Sequence, residues 1–213
     1  MKNLEIYNTG IGLRWNKLIR NLFVLPGYRR KLKNNSFTIL CNNCNGGIIT
    51  HDLGQRFNSP TVNMFFYGDH FFKFCEKFDY YINLPLEVKP DPIYEPQGDY
   101  PVCALGDLEL HFLHYKSFDE AKSAWDRRKK RINHDNIFIM WTFFSDTSNE
   151  LLQRFEQLPF KNKVAFTEKK SSDFPSAFWI RGYSDGLGVL THFCGFNGKR
   201  IIDQFDYVNW LNG

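Results

Sequence analysis

The chain lacks any apolar run approaching the roughly 18 residues that a membrane-spanning helix needs, and its polar first stretch, Met1 to Gly12, has no signal-peptide pattern. It lacks a strong charge of either sign: the formal net charge is only +4. A dedicated nucleic-acid binder is more basic and more clustered, so no nucleic-acid partner is expected. It lacks an even cysteine framework. Cys41, Cys44, Cys75, Cys103 and Cys194 are odd in number, so disulfides are not expected and a reduced, cytoplasmic setting fits. Cys41 and Cys44 make a single C-x-x-C with no second pair and no nearby His at zinc spacing. There is no G-x-x-x-x-G-K-[ST], no G-x-G-x-x-G after the first strand and no G-x-S-x-G, which sets aside P-loop, dinucleotide-binding and serine-elbow chemistry. No repeat or low-complexity segment is visible.

What is there supports a large core. Of 213 residues, 43% are apolar and 17% aromatic, with 22 phenylalanines, so thick aromatic packing is expected rather than disorder. The organisation expected is a basic amphipathic segment over 1–35 and a single α/β domain over 36–213.

The most informative stretch is FTILCNNCNGGIITHDLG, Phe37 to Gly54. An apolar, β-branched run breaks into Asn42, Asn43, Cys44, Asn45, Gly46 and Gly47. That reads as a buried strand entering a polar loop whose glycines let backbone approach a ligand. Ligands of open α/β sheets bind beyond the carboxyl ends of strands, so Asn42, Asn43, Cys44, Gly46, Gly47 and the following Asp52 are candidate ligand-binding residues. His51 and Asp52 can cooperate as a base pair only if a turn brings them together.

Residues 10–33 have their own character. Leu13, Trp15, Leu18, Ile19, Leu22 and Phe23 can share a helical face, with Arg14, Lys17 and Arg20 beside it and Arg29, Arg30, Lys31 and Lys33 after Pro26-Gly27. The expected arrangement is an amphipathic helix packing its apolar face on the domain. With that face packed, only weak, salt-sensitive attraction to an anionic membrane is expected; docking of the face on such a membrane is the alternative.

Further along, Thr61 to Tyr67 reads as a strand and Asp69 to Ile82 as a helix with Asp69 as N-cap. Pro85, Pro90, Pro92, Pro96 and Pro101 mark a connection. Val102 to Tyr115 alternates like a strand. Ser117 with Glu120 opens a helix running to about Asn133, Asn136 to Phe143 is a fully buried strand, Thr147 with Glu150 opens another helix, and Lys163 to Thr167 is a strand. After Phe178 an irregular strand pair and a helix near Ile201 to Leu211 are expected. Strands alternating with helices require parallel βαβ units. The fold class expected is therefore α/β, a mixed, mostly parallel sheet flanked by helices, Rossmann-like but without a dinucleotide fingerprint.

Three constellations can carry chemistry. In LGDLELHFLHY, a continuous strand puts Asp107, Glu109 and His111 on one face. The carboxylates are candidates to hold a divalent cation and His111 to act as base, with His114 at the end. The plainer reading is a polar outer face of an edge strand. Arg128 falls on the apolar stripe of its helix near Trp125, so it is expected buried and paired with a carboxylate or a phosphate, whereas Lys129 and Lys130 are expected in solvent. Asp146 follows a predicted central strand and is either a ligand contact or a helix-entry acid.

Three segments, FTILCNNCNGGIITHDLGQRFNSPTV, VCALGDLELHFLHYKSFDEAKSAWDRRKKRIN and LLQRFEQLPFKNKVAFT, together resemble a bacterial family whose members carry the label exopolysaccharide biosynthesis protein. The likeness spans about residues 36–205. The family's S-N-N-C-x-G-G loop is matched by Asn42, Asn43, Cys44, Gly46 and Gly47. Its L-G-D-x-x-x-H-F-x-H-Y strand is matched by Leu105, Gly106, Asp107, His111, Phe112, His114 and Tyr115. Its R-R-K-R-I-N helix end is matched by Arg128, Lys129, Arg131, Ile132 and Asn133. Cys41 stands where the family often has Ser, and Asn45 where an aromatic is frequent. The resemblance implies a pathway and not a reaction. The function expected is a cytoplasmic transferase of surface-polysaccharide assembly acting on a sugar nucleotide, phosphorylated sugar or lipid-linked sugar. In it the Asn42–Gly47 loop binds the donor, Asp107, Glu109 and His111 serve as base or metal ligands, and Arg128 meets phosphate. The alternative is a non-enzymatic interaction protein of a polysaccharide assembly complex. The transferase reading expects Asn42 or Asn43, Asp107 and His111 around one cleft.

Overall fold

The structure is a computed structural model, and it describes residues 10–142, 148–182, 189–191 and 195–213. Strands β1 (Thr38–Cys41), β5 (Ile137–Thr142), β6 (Asn162–Thr167) and β7 (Ala177–Trp179) form a four-stranded sheet in the order β1-β5-β6-β7, every pair parallel. A second, antiparallel sheet holds β2 (Glu87–Val88), β3 (Val102–Leu105) and β4 (Leu108–His111). The helices are α1 (Gly10–Ile19), α2 (Leu25–Lys31), α3 (Asn45–Asp52), α4 (His70–Glu76), α5 (Phe78–Tyr81), α6 (Phe118–Lys129), α7 (Asn149–Glu156) and α8 (Tyr207–Asn212). A π-helical turn, Arg20–Val24, joins α1 to α2, and a 3-10 turn, Ile201–Gln204, precedes α8. The α/β class with a mixed, mostly parallel arrangement is as the alternation of elements required.

Side-chain alternation along the parallel strands divides the core into two layers. Leu40, Ile139, Trp141 and Ala165 face one way, onto α4, α6, α7 and the β3–β4 hairpin. Ile39, Cys41, Phe138, Met140, Val164 and Phe166 face the other, onto α3 and α8. All six residues of β5 are buried, as expected of a parallel strand covered on both faces. Local signals set the helix starts. Ser117 Oγ accepts the amide of Glu120, while Glu120 Oε2 accepts the amide of Lys116. For α7 the N-cap is Ser148, whose Oγ accepts from Leu151 N.

Four local expectations are corrected. Val102 to Tyr115 is a hairpin, because Gly106 takes φ +63° and turns the chain between β3 and β4. Thr61 to Tyr67 is mostly turn, with only Phe65 bridged to His111. The helix after Asp69 breaks at Lys77, and Asp69 makes no side-chain cap, its carboxylate pairing with Arg154 instead. Downstream of Phe178, β7 adds to the parallel sheet.

The N-terminal segment is turned the opposite way from expectation. Asn16 and Arg20 are buried, and Trp15, Leu18, Leu22 and Phe23 are exposed. The cause is Arg20. Its guanidinium lies 2.9 Å from Asp52 of α3 and 2.6 Å from Asp203 of the 3-10 turn, and also donates to the Gly198 carbonyl at 3.0 Å. Burial pushes the Arg20 pKa down, and Asp203 and Asp52 more than reverse that, so it is held above its ordinary value. Turning the segment over would leave Asp52 and Asp203 buried without this cation.

Candidate functional site

Asn42 lies one residue past β1. Its Nδ2 donates to the Thr142 carbonyl at 2.9 Å and its Oδ1 accepts the Thr142 amide at 3.0 Å, so the side chain extends the β1–β5 ladder by one rung. Asn43 Oδ1 accepts from Asn45 N at 3.0 Å and from the Cys41 thiol at 3.3 Å. Asn45 Nδ2 donates to Thr142 Oγ1 at 2.9 Å. All three asparagines are buried. They knit the ends of β1 and β5 to the start of α3. The glycines have a packing reason too. A Cβ on Gly46 would sit 2.9 Å from Ile39 Cγ2 and 3.0 Å from Cys41 Cβ, and one on Gly47 would sit 3.2 Å from Val62 Cγ1. They let α3 lie on β1 and on the Val62 turn.

Asp107, expected on one strand face with Glu109 and His111, lies instead in the turn that precedes β4. Asp107 is exposed in the hairpin turn, where Tyr81 Oη donates to it at 2.8 Å and holds its carboxyl below the ordinary value. His111 ends β4, four residues and about 13 Å further along the strand. Glu109 and His111 are buried at 1% and 0% exposure. Burial would raise the Glu109 carboxyl, but the amides of Ile93 (2.6 Å) and Tyr94 (3.1 Å) and the His111 imidazole (2.9 Å) outweigh it and hold it below its ordinary value. Burial lowers the His111 pKa more than Glu109 raises it. The pair is therefore a carboxylate accepting Nε2–H of a neutral imidazole. Its work is to pin the loop after β2 onto the hairpin, with Phe65 stacked on the ring at 4.9 Å. His70 Nδ1 accepts the Glu109 amide at 2.8 Å. No group of three or more His, Cys, Asp or Glu able to hold a metal ion occurs among the described residues.

Asp52 is the inner anchor of the charge cluster, bonded also to Arg200 at 2.6 Å, and the helical turn brings Nδ1 of exposed His51 to 3.8 Å from its Oδ1. Asp146 lies outside the described residues. Arg128 is buried as its stripe predicted, but it donates to neutral oxygens, Val62 O at 3.1 Å and the Tyr115 hydroxyl. Lys130 is exposed and Lys129 half-buried. Arg128 belongs to a cluster that the sequence reading did not assemble: burial, then Arg56, Arg127 and Arg128, lower the pKa of Arg131.

Two of the sequence candidates do meet. Cys44 Sγ lies 3.6 Å from His114 Nε2, across 70 residues of sequence. Cys44 stands just beyond the carboxyl end of β1, at the N-cap of α3, where open α/β sheets place their ligands. It is 8% exposed and His114 is exposed, so the pair opens to solvent on the imidazole side. Burial raises the thiol pKa; the resting group is the neutral thiol. Along the α3 face that Cys44 heads, Gly47, Ile48 and His51 line a hollow of about 670 Å³. Lys17, Arg20, Arg200 and the Asp52 carboxylate stand among its other walls with Phe57 and Thr191, and the volume suits a ligand of small-molecule size. Arg131 donates to the carbonyl of that same Phe57 at 3.5 Å, so the arginine cluster adjoins the hollow. Cys41, by contrast, is a buried thiol pushed up to about 12 by burial despite nearby amides, and is packing.

Comparison with known proteins places this arrangement in context. The family described as Domain of unknown function (DUF1919) matches residues 15–212. A Haemophilus influenzae protein described as "Uncharacterized protein" is 41% identical over 195 residues, covering 91% of this chain and 92% of that protein.

Proposed function

The chain belongs to the family Domain of unknown function (DUF1919), and from that premise we propose that it is an enzyme of surface-polysaccharide assembly, a group transferase acting on a sugar nucleotide or lipid-linked sugar. The single observation that carries the enzyme reading is the Cys44–His114 contact at 3.6 Å, beyond the end of a parallel strand. The resemblance to proteins labelled for exopolysaccharide biosynthesis supports the pathway. With Glu109 and His111 committed to the fold, the reacting pair moves to Cys44 and His114, and acyl transfer is the chemistry such a pair performs. His114 takes the thiol proton as Cys44 Sγ attacks an acyl thioester. The S–C bond forms, and the donor thiolate leaves with that proton. A sugar hydroxyl then attacks the acyl-cysteine, gives its proton to His114, and Cys44 departs as thiolate to be reprotonated. The hollow beside α3 seats the sugar nucleotide, its phosphates toward Lys17 and Arg200.

The test is incubation with acetyl-coenzyme A and other acyl thioesters, read by intact mass, alongside calorimetric titration with a panel of sugar nucleotides. An acyl adduct on Cys44 is expected, lost in Cys44→Ala and formed at least tenfold more slowly in His114→Asn, given about 10²–10⁴ for a general base. No adduct and no binding heat would remove the reading. A non-enzymatic interaction protein is the second reading, favoured by the exposed apolar residues of α1; it predicts an inert Cys44.

A further inference from the structure

A helix on a soluble domain buries its apolar stripe and exposes its polar face. The first helical segment leaves its apolar stripe in solvent and buries two polar residues. Trp15, Leu18, Leu22 and Phe23 are 50%, 49%, 57% and 72% exposed, while Asn16 and Arg20 are buried. Positions 15, 18 and 22 follow the i, i+3, i+7 spacing of one helix face, and Phe23 adjoins it on the π turn. The orientation is fixed from inside: turning the stripe inward would pull Arg20 away from Asp52 and Asp203. The exposed stripe is therefore a product of the fold and not of a loose end.

The segment that carries the stripe is itself of one sign, with Asp203 and Asp206 lying beside Tyr28 and Lys31 at its far end. Residues 10–33 contain no Asp or Glu. Arg14, Lys17, Arg29, Arg30, Lys31 and Lys33 are all exposed. A second copy of the chain docked on this stripe would bring two such basic rims together, which disfavours self-association. An anionic surface complements both features at once: apolar side chains enter it and cations meet its phosphates. Trp at such a boundary keeps its ring in the apolar zone and its N–H in the wet one.

We propose that this face docks the protein on an anionic lipid leaflet, with Trp15, Leu18, Leu22 and Phe23 inserted below the headgroups and the basic residues of 14–33 against the lipid phosphates. The docking rests on the stripe and its charge alone, and it stands whether or not Cys44 is reactive. If the transferase reading is also right, docking brings the protein to the surface where a lipid-linked sugar resides.

Flotation with vesicles of phosphatidylglycerol and phosphatidylethanolamine, against vesicles of phosphatidylcholine alone, tests it without any acyl donor. Binding is expected to the anionic vesicles. Each basic residue near an anionic leaflet adds about fivefold, so Arg30→Ala/Lys31→Ala should weaken low-salt binding about 25-fold. Leu22→Glu/Phe23→Glu should weaken it at least tenfold with no change in Tm, because both side chains already lie in solvent. A blue shift of tryptophan emission on binding should vanish in Trp15→Phe. Part of the binding should survive about 0.5 M salt, since apolar burial is not screened. No flotation with anionic vesicles, or equal flotation of Leu22→Glu/Phe23→Glu, would overturn the proposal. So would a dimer that this double variant dissolves in a protein that ignores lipid; the stripe would then be a protein interface.

Discussion

Glu109 Oε1 accepts a hydrogen bond from His111 Nε2 at 2.9 Å, with neither side chain reaching solvent. Two groups that look catalytic on paper are thus a fastening between the hairpin and the loop carrying Ile93 and Tyr94. Glu109→Ala removes the acceptor of two amides and an imidazole at once. It should cost about 3 kcal/mol, in the range for leaving buried partners unsatisfied, read by urea denaturation. A loss below about 1 kcal/mol would mean the loop is not held this way.

The same pair gives a pH dependence of stability. Glu109 has a folded pKa below its ordinary value, so its contribution is complete above the unfolded carboxylate pKa and is lost as pH falls through the folded value. His111 is also lowered: below about 6.5 the unfolded chain binds a proton that the folded one refuses. Both terms make stability fall as pH drops from about 7 toward 4. Urea midpoints should decline over that range, and His111→Gln should flatten the upper part of the decline. A midpoint that rises on acidification would contradict the assignment.

Two glycines in helices should respond with opposite signs. Gly46→Ala places a Cβ 2.9 Å from Ile39 Cγ2; overpacking of about 1–3 kcal/mol exceeds the gain of about 1 kcal/mol from helix propensity. Gly27→Ala meets nothing within 4 Å and should stabilise by up to about 1 kcal/mol. Thermal melts of both variants decide this, and a stabilised Gly46→Ala would mean α3 can lift off β1.

Arg20→Met leaves Asp203 buried without its guanidinium, with only Arg200 still on Asp52. A loss of about 3–5 kcal/mol is expected. The measurement is chemical denaturation combined with limited proteolysis, where new cleavage should arise within residues 22–33 as the segment detaches. An unchanged cleavage pattern would show that other contacts hold it.

Much of the scaffold was legible in local pattern. The Ser117 cap, the continuous apolar run of β5 and the strand–helix alternation are signals a few residues long, and burial of both faces of a parallel strand leaves no polar position to confuse them. Gly106-Asp107 was a turn signal that the surrounding alternation masked, and reading through it put Asp107 on a strand face that does not exist. For the asparagine-glycine loop, position beyond a strand was readable, whereas the internal use of Asn42 and Asn45 was not, since their partner Thr142 lies about 100 residues away.

By itself, then, the sequence determined the α/β class, the parallel strands, the burial of Arg128 and the absence of a membrane-spanning length of apolar chain. Tertiary structure alone decided which polar groups meet and which face of the first helix looks outward. Periodicity reports that a stripe exists but not what its other side offers. Arg20 found Asp52 and Asp203, 32 and 183 residues distant, and Cys44 found His114 across 70. Such pairings are set by how packed layers bring distant chain segments together, a quantity no window of neighbouring residues contains.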